Sequence, residues 1–228
     1  MPKKEMHFST GHIDGREPQA LHRKGEKSVY EWSSKGLTAY ITHSDCFQHN
    51  MGTGHPDYDG NGADLNQLTA DQCAANWACS NRYDTIGKTE WDALKAGNLT
   101  PSGASAAWTV ISDKADFELL ANNNLKVQGP LFGLPKVRWT LQQGREAAVL
   151  GADANQPSGV KKIESVPDLA TMTKGALNYL GKDKDGLFIM IEGGATDWAA
   201  HANQTGRLIE EQEAFDQALA AVESWVAA

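Results

Sequence analysis

The chain has 228 residues, 40% hydrophobic and 22% charged, a globular composition long enough to bury close to ~70% of its unfolded surface in one core. Its 29 acidic against 21 basic residues leave a net charge of -8, and the basic groups gather only at 2–4 and 22–24, which excludes a nucleic-acid or membrane-surface partner on charge grounds. No apolar run is longer than the five residues of 187–191, far short of the ~20 residues a membrane span needs.

The first residues are basic but reach His7, Ser9 and His12 where a signal peptide carries its apolar segment, so none is read here. That fits either a cytosolic protein or a chain whose true N-terminus lies upstream. Residues 1–45 mix charge with scattered Gly and Pro and support no assignment. Residues 46–228 read as one partial α/β domain, of which 46–105 is loop-rich, with short helical pieces over 65–78 and 88–94. Cys73 and Cys79 either close a small loop in an oxidising compartment, leaving Cys46 single, or all three stay free thiols. Asp57, Asp59, Asn61 and Gly62 reproduce the first half of an EF-hand loop, yet its twelfth position is Leu68, where a bidentate Glu is needed. A plain turn is the simpler reading, and a non-catalytic calcium- or metal-binding module is the alternative.

Further along, 107–112 has the β-branched and aromatic content of a strand, Asp113 is placed to begin a helix, and 115–121 reads as that helix. Residues 126–132 form a strand candidate ending at Gly133, 142–160 a connecting loop, and 167–180 an amphipathic helix with Pro167 at its start and Gly181 just past its end. The apolar run 186–191 has the pattern of a parallel strand buried on both faces, and 202–227 carries apolar residues at helical spacing. Strands alternating with helices predict an α/β fold with a mainly parallel sheet.

Ligands of open α/β sheets sit beyond the carboxyl ends of the strands, which directs attention to the residues after 186–191. Glu192 ends the run, Gly193 and Gly194 permit a sharp turn, and Asp197 and His201 lie one helical turn apart on one face. Carboxylate with imidazole suits zinc, and Glu192 suits magnesium equally well. Taken alone, Asp-x3-His reads more simply as an acidic residue near a helix N-terminus and a surface histidine.

The segment FIMIEGGATDWAAHANQTGRLIEEQEAFDQALAAVESWV, residues 188–226, resembles the stretch of alkaline phosphatases in which a buried strand ends in Glu-Gly-Gly and runs through Asp-x3-His into a long helix. SVPDLATMTKGALNYLGKDKDG at 165–186, WTVISDKADFELLA with VQGPLFG within 108–133, and MGTGHPDYDGNG at 51–62 extend the resemblance to about 50–228. It implies a three-layer sandwich, incomplete here, and metal-dependent hydrolysis of phosphate monoesters. It makes Glu192 a magnesium ligand, Asp197 and His201 ligands of one of two zinc ions, and Trp198 a residue near the bound phosphate. It also implies an exported, periplasmic or secreted protein that commonly forms a homodimer. The family's nucleophile lies in an Asp-Ser-Ala motif that this sequence lacks. Its Thr-Ala-Asp-His motif is absent too, since Thr69, Ala70 and Asp71 are followed by Gln72 and lie in the wrong place. The expectation is an internal piece of a longer enzyme, catalytically incomplete alone.

Overall fold

The computed structural model describes residues 5–7, 39–41, 55–83, 86–100, 105–184 and 187–228. Among these, five short strands are β1 (Glu5–His7), β2 (Ala39–Ile41), β3 (Thr109–Ile111), β4 (Leu131–Gly133) and β5 (Phe188–Met190). The helices are α1 (Ala70–Ala74), α2 (Trp77–Ser80), α3 (Lys88–Lys95), α4 (Lys114–Ala121), α5 (Ala147–Leu150), α6 (Leu169–Leu180), α7 (Ala195–His201) and α8 (Thr205–Val226). Every ladder is parallel: β2 and β3 flank β4, with Ala39 and Thr109 both opposite Leu131, while β1 pairs with β5. Parallel neighbours need a crossover, and α4 supplies the one between β3 and β4. The fold is therefore α/β with a small parallel sheet. No helix among the described residues is long and apolar enough to cross a membrane.

The core forms where β4 meets the helices. Phe117 and Leu120 of α4, Leu131 of β4 and Met172, Ala176 and Tyr179 of α6 are enclosed together. In α6 the buried positions 169, 172, 173, 176, 177 and 180 follow helical spacing, and its remaining buried residues arise because α4 and α8 both pack on it. Asp168 caps α6 by accepting the Thr171 N–H. Gly175 lets α4 approach closely, since a Cβ there would lie 3.1 Å from Leu120 Cδ2.

Several expectations change. The segment 65–78 is divided into a 3-10 turn at Leu65–Gln67, then α1 and α2, because Thr69 and Gln72 make a reciprocal capping box that starts a new helix. The Cys73–Cys79 disulfide then ties α1 to α2. The strand expected over 126–132 is confined to β4, and that expected over 186–191 to β5. β5 is not buried on both faces: Met190 is 43% exposed. Gly181 follows α6 as expected but with φ -61, so a left-handed cap does not require it. The ring of Trp225, from α8, occupies the place of its missing Cβ.

The calcium reading of 57–62 is corrected by how its oxygens are used. Asp57 is buried and accepts from Arg82 at 2.6 Å, Lys95 at 2.9 Å and the Trp91 indole at 2.9 Å. Asp59 Oδ1 accepts the backbone N–H groups of Asn61 and Ala63, and Asn61 Oδ1 that of Glu146. Gly62 has φ +77, the left-handed conformation a tight turn needs. These oxygens are engaged by the protein's own N–H groups and cations, and through Trp91 and Lys95 the segment is a turn stapled to α3.

Candidate functional site

The site region begins where β5 ends. Glu192 leaves the strand, and Gly193 passes so close to α8 that a Cβ there would meet Phe215 Cδ2 at 2.8 Å. The chain turns into α7 with the Thr196 hydroxyl donating to Gly193 O at 2.8 Å and the Asp197 N–H to Gly194 O at 3.1 Å. Within α7 the i, i+4 spacing brings Asp197 Oδ2 and His201 Nε2 to 3.6 Å, with both side chains open to solvent at 60% and 82% exposure. Trp198 lies between them in sequence and is half-buried.

Glu192 faces elsewhere. It lines a cavity of about 250 Å³ together with Gly193, Gly194, Lys114, Glu210 and Glu211. The structure thus unites Asp197 with His201 but does not gather Glu192 with them: among the described residues no three His, Cys, Asp or Glu side chains form a group able to hold a metal ion.

Behind the site runs a buried polar network that the sequence reading misses. Arg145, Arg207 and Glu210 join the loop 142–161 to α8 across more than sixty positions of sequence, and no local motif signals such a distant pairing. Burial raises the Glu211 carboxyl from its ordinary 4.5 to about 7, with Arg145 and the neighbouring cations opposing the rise. Oε1 of Glu211 is buried with no hydrogen-bond partner.

The sequence pattern of the family described as Alkaline phosphatase matches residues 80–227, a span that includes β3 to α8 and the whole site region. Alkaline phosphatase 3 of Bacillus subtilis (strain 168) is 32% identical over 132 residues, which are 58% of this chain and 24% of that protein. Alkaline phosphatase 4 of the same organism is 37% identical over 80 residues, 34% of this chain and 17% of its own length. Alkaline phosphatase of Escherichia coli (strain K12) is 29% identical over 150 residues, 60% of this chain and 30% of its own. The chain spans between 17% and 30% of the length of these relatives. With well over half of its residues matched to that one pattern, the chain belongs to the alkaline phosphatase family.

Proposed function

We propose that this chain carries one strip of a metal-dependent phosphate monoester hydrolase site, with Asp197 and His201 as two zinc ligands, Glu192 as a magnesium ligand and Trp198 beside the bound phosphate. The observation that carries it is the Asp197–His201 pair. Its 3.6 Å separation lies near the ~3.3 Å spanned by two donors each ~2.0 Å from a tetrahedral ion, and carboxylate with imidazole is a zinc donor set. The pair stands just beyond the end of a parallel strand and within the family-matched segment. When bound, paired zinc ions supply stabilisation of the attacking and leaving oxygens.

The chain's own residues then have defined tasks. Asp197 would supply a carboxylate oxygen and His201 an imidazole nitrogen, both from one face of α7. Gly193 keeps the turn tight against α8, and the Thr196 hydroxyl fixes the first turn of α7. Glu192 lines the neighbouring cavity rather than joining that pair, which supports a second and separate ion for it.

The reading extends to the sandwich of which this parallel sheet forms part, to export and to dimerisation, all supported by family membership. Export is further supported by the Cys73–Cys79 disulfide, a bond that persists in oxidising compartments. With no Asp-Ser-Ala motif in the sequence, we place the nucleophile outside these 228 residues and expect no turnover from them alone. The test is p-nitrophenyl phosphate hydrolysis by the purified chain with zinc and magnesium supplied and then chelated. The expected result is no activity in either state, and chelator-sensitive hydrolysis lost in Asp197→Ala would show a complete site in this chain.

A further inference from the structure

The buried network behind α7 is unusually directional. Arg145 Nη2 donates to Glu210 Oε2, with the two side chains 0% and 1% exposed. The same guanidinium also donates to Lys161 O at 2.8 Å, Gln142 O at 2.9 Å, Val160 O at 2.8 Å and Ser158 Oγ at 3.0 Å. Glu210 Oε1 accepts the Ser158 N–H at 2.7 Å. Arg207 donates to three carbonyls, Gln142 at 2.9 Å, Gln143 at 2.7 Å and Arg145 at 2.8 Å, and Gln143 Nε2 donates to Gln204 Oε1 at 2.7 Å. Positions 204, 207 and 210 lie on one face at the start of α8. Gly206 touches the same loop so closely that a Cβ would lie 2.5 Å from Pro157 O.

This clamp is joined to α7 by a short, closed connection. Asn203 adopts φ 55, its N–H donates to Ala200 O at 3.0 Å, and the Gln204 N–H donates to Ala199 O at 2.9 Å. That pair of bonds is a Schellman motif, which satisfies the last carbonyls of α7 and fixes the angle at which the next helix leaves. His201 is therefore separated from the first clamped residue only by a hydrogen-bonded turn. A buried ion pair seldom adds stability over well-packed apolar residues of similar volume. Guanidinium forks do fix direction, because each donor must meet its own acceptor.

We propose that Arg145, Arg207 and Glu210 are positioning residues for the Asp197–His201 pair: by locking the first turns of α8 to the loop 142–161, they hold the exposed face of α7 in a ligand-ready geometry. The role assigned to the pair rests on the metal-site reading above; the mechanical coupling does not. Arg207→Lys keeps the charge and removes the fork, Glu210→Gln keeps the shape and removes the charge, and Gly206→Ala displaces the helix start sterically.

The test is hydrogen exchange on the full chain, with cobalt(II) titration alongside. In Arg207→Lys the amides of α7 and of the first turn of α8 should exchange at least ~10-fold faster, those of α4 and α6 should keep their rates, and cobalt affinity should fall at least ~5-fold. If Arg207→Lys does not fold, Glu210→Gln or Gly206→Ala is measured in its place with the same expectation. Exchange in α7 unchanged while the α8 start is loosened would overturn the coupling, as would unchanged exchange in every folded variant. The ligand reading fails separately if Asp197→Ala combined with His201→Ala leaves cobalt affinity intact in a chain whose exchange is that of wild type.

Discussion

At the scale of single residues, two buried titratable groups oppose one another with pH. Burial holds His55 down from 6.5 to about 4, against the pull of the Asp57 carboxylate, and its Nδ1 accepts the Asp57 N–H at 3.1 Å. A depressed histidine takes up protons more readily unfolded than folded, so its contribution is lost as pH falls from about 6.5 towards 4. Glu211 is the reverse case: raised from 4.5 to about 7, its folded form binds the extra proton, and stability is lost as pH rises through that window. Each shift corresponds to stability on the order of 3 kcal/mol. The two slopes have opposite signs, so removing either group should expose the other. Glu211→Gln should melt at increasing temperature as pH rises from 4.5 to 7, and His55→Asn, which retains an acceptor, should show the opposite trend. Thermal unfolding by circular dichroism at several pH values measures both; parallel profiles for the two variants would contradict this account. Asp57 lies well below the usual carboxylate range despite its burial, because Lys95, Trp91 and Arg82 all donate to it. Asp57→Ala removes the counter-charge of half-buried Arg82 and the acceptor of the buried Trp91 indole, and should cost about 3 kcal/mol in urea unfolding.

At the scale of elements, the most consequential pairs join helices to distant segments. Glu210→Ala strands the Arg145 guanidinium without its counter-charge, and denaturant titration should show a loss of roughly 3–5 kcal/mol. Gly181→Ala presses a methyl group into the Trp225 ring at the α6–α8 contact and should cost ~1–3 kcal/mol by the same measurement. Those costs explain what the sequence could disclose. Helices α4, α6 and α8 were legible because apolar spacing is local, and Asp113, Pro167 and Gly181 punctuate the chain near the ends of α4 and α6. Strands β3, β4 and β5 were legible in position and too long in extent, since periodicity marks apolar residues and not which of them find a partner, whereas β1 and β2 lie in a stretch whose sequence supports no assignment. Asp57 showed the limit most clearly: the same Asp-x-Asp-x-Asn-Gly spelling serves a calcium loop or an inward-stapled turn, and the choice is made by Arg82, Trp91 and Lys95 far along the chain. The Arg145–Glu210 clamp had no local signal at all. In the site, the Asp197–His201 spacing was readable as one helical turn and the structure pairs the two side chains. The separation of Glu192 from them depends on the turn at Gly193 and Gly194, which spacing does not convey.

At the scale of the whole molecule, a small parallel sheet ends beside a helix that displays a carboxylate and an imidazole, and a long second helix is bolted behind it. The central claim is that this face is built to take a zinc ion. Calorimetric zinc titration of the purified chain, beside a variant combining Asp197→Ala and His201→Ala, tests it most directly. The account predicts weak zinc binding by the wild type, as two ligands allow, with affinity at least ~10-fold lower still in the variant, which lacks both proposed ligands. Equal affinity in two equally folded proteins would contradict it.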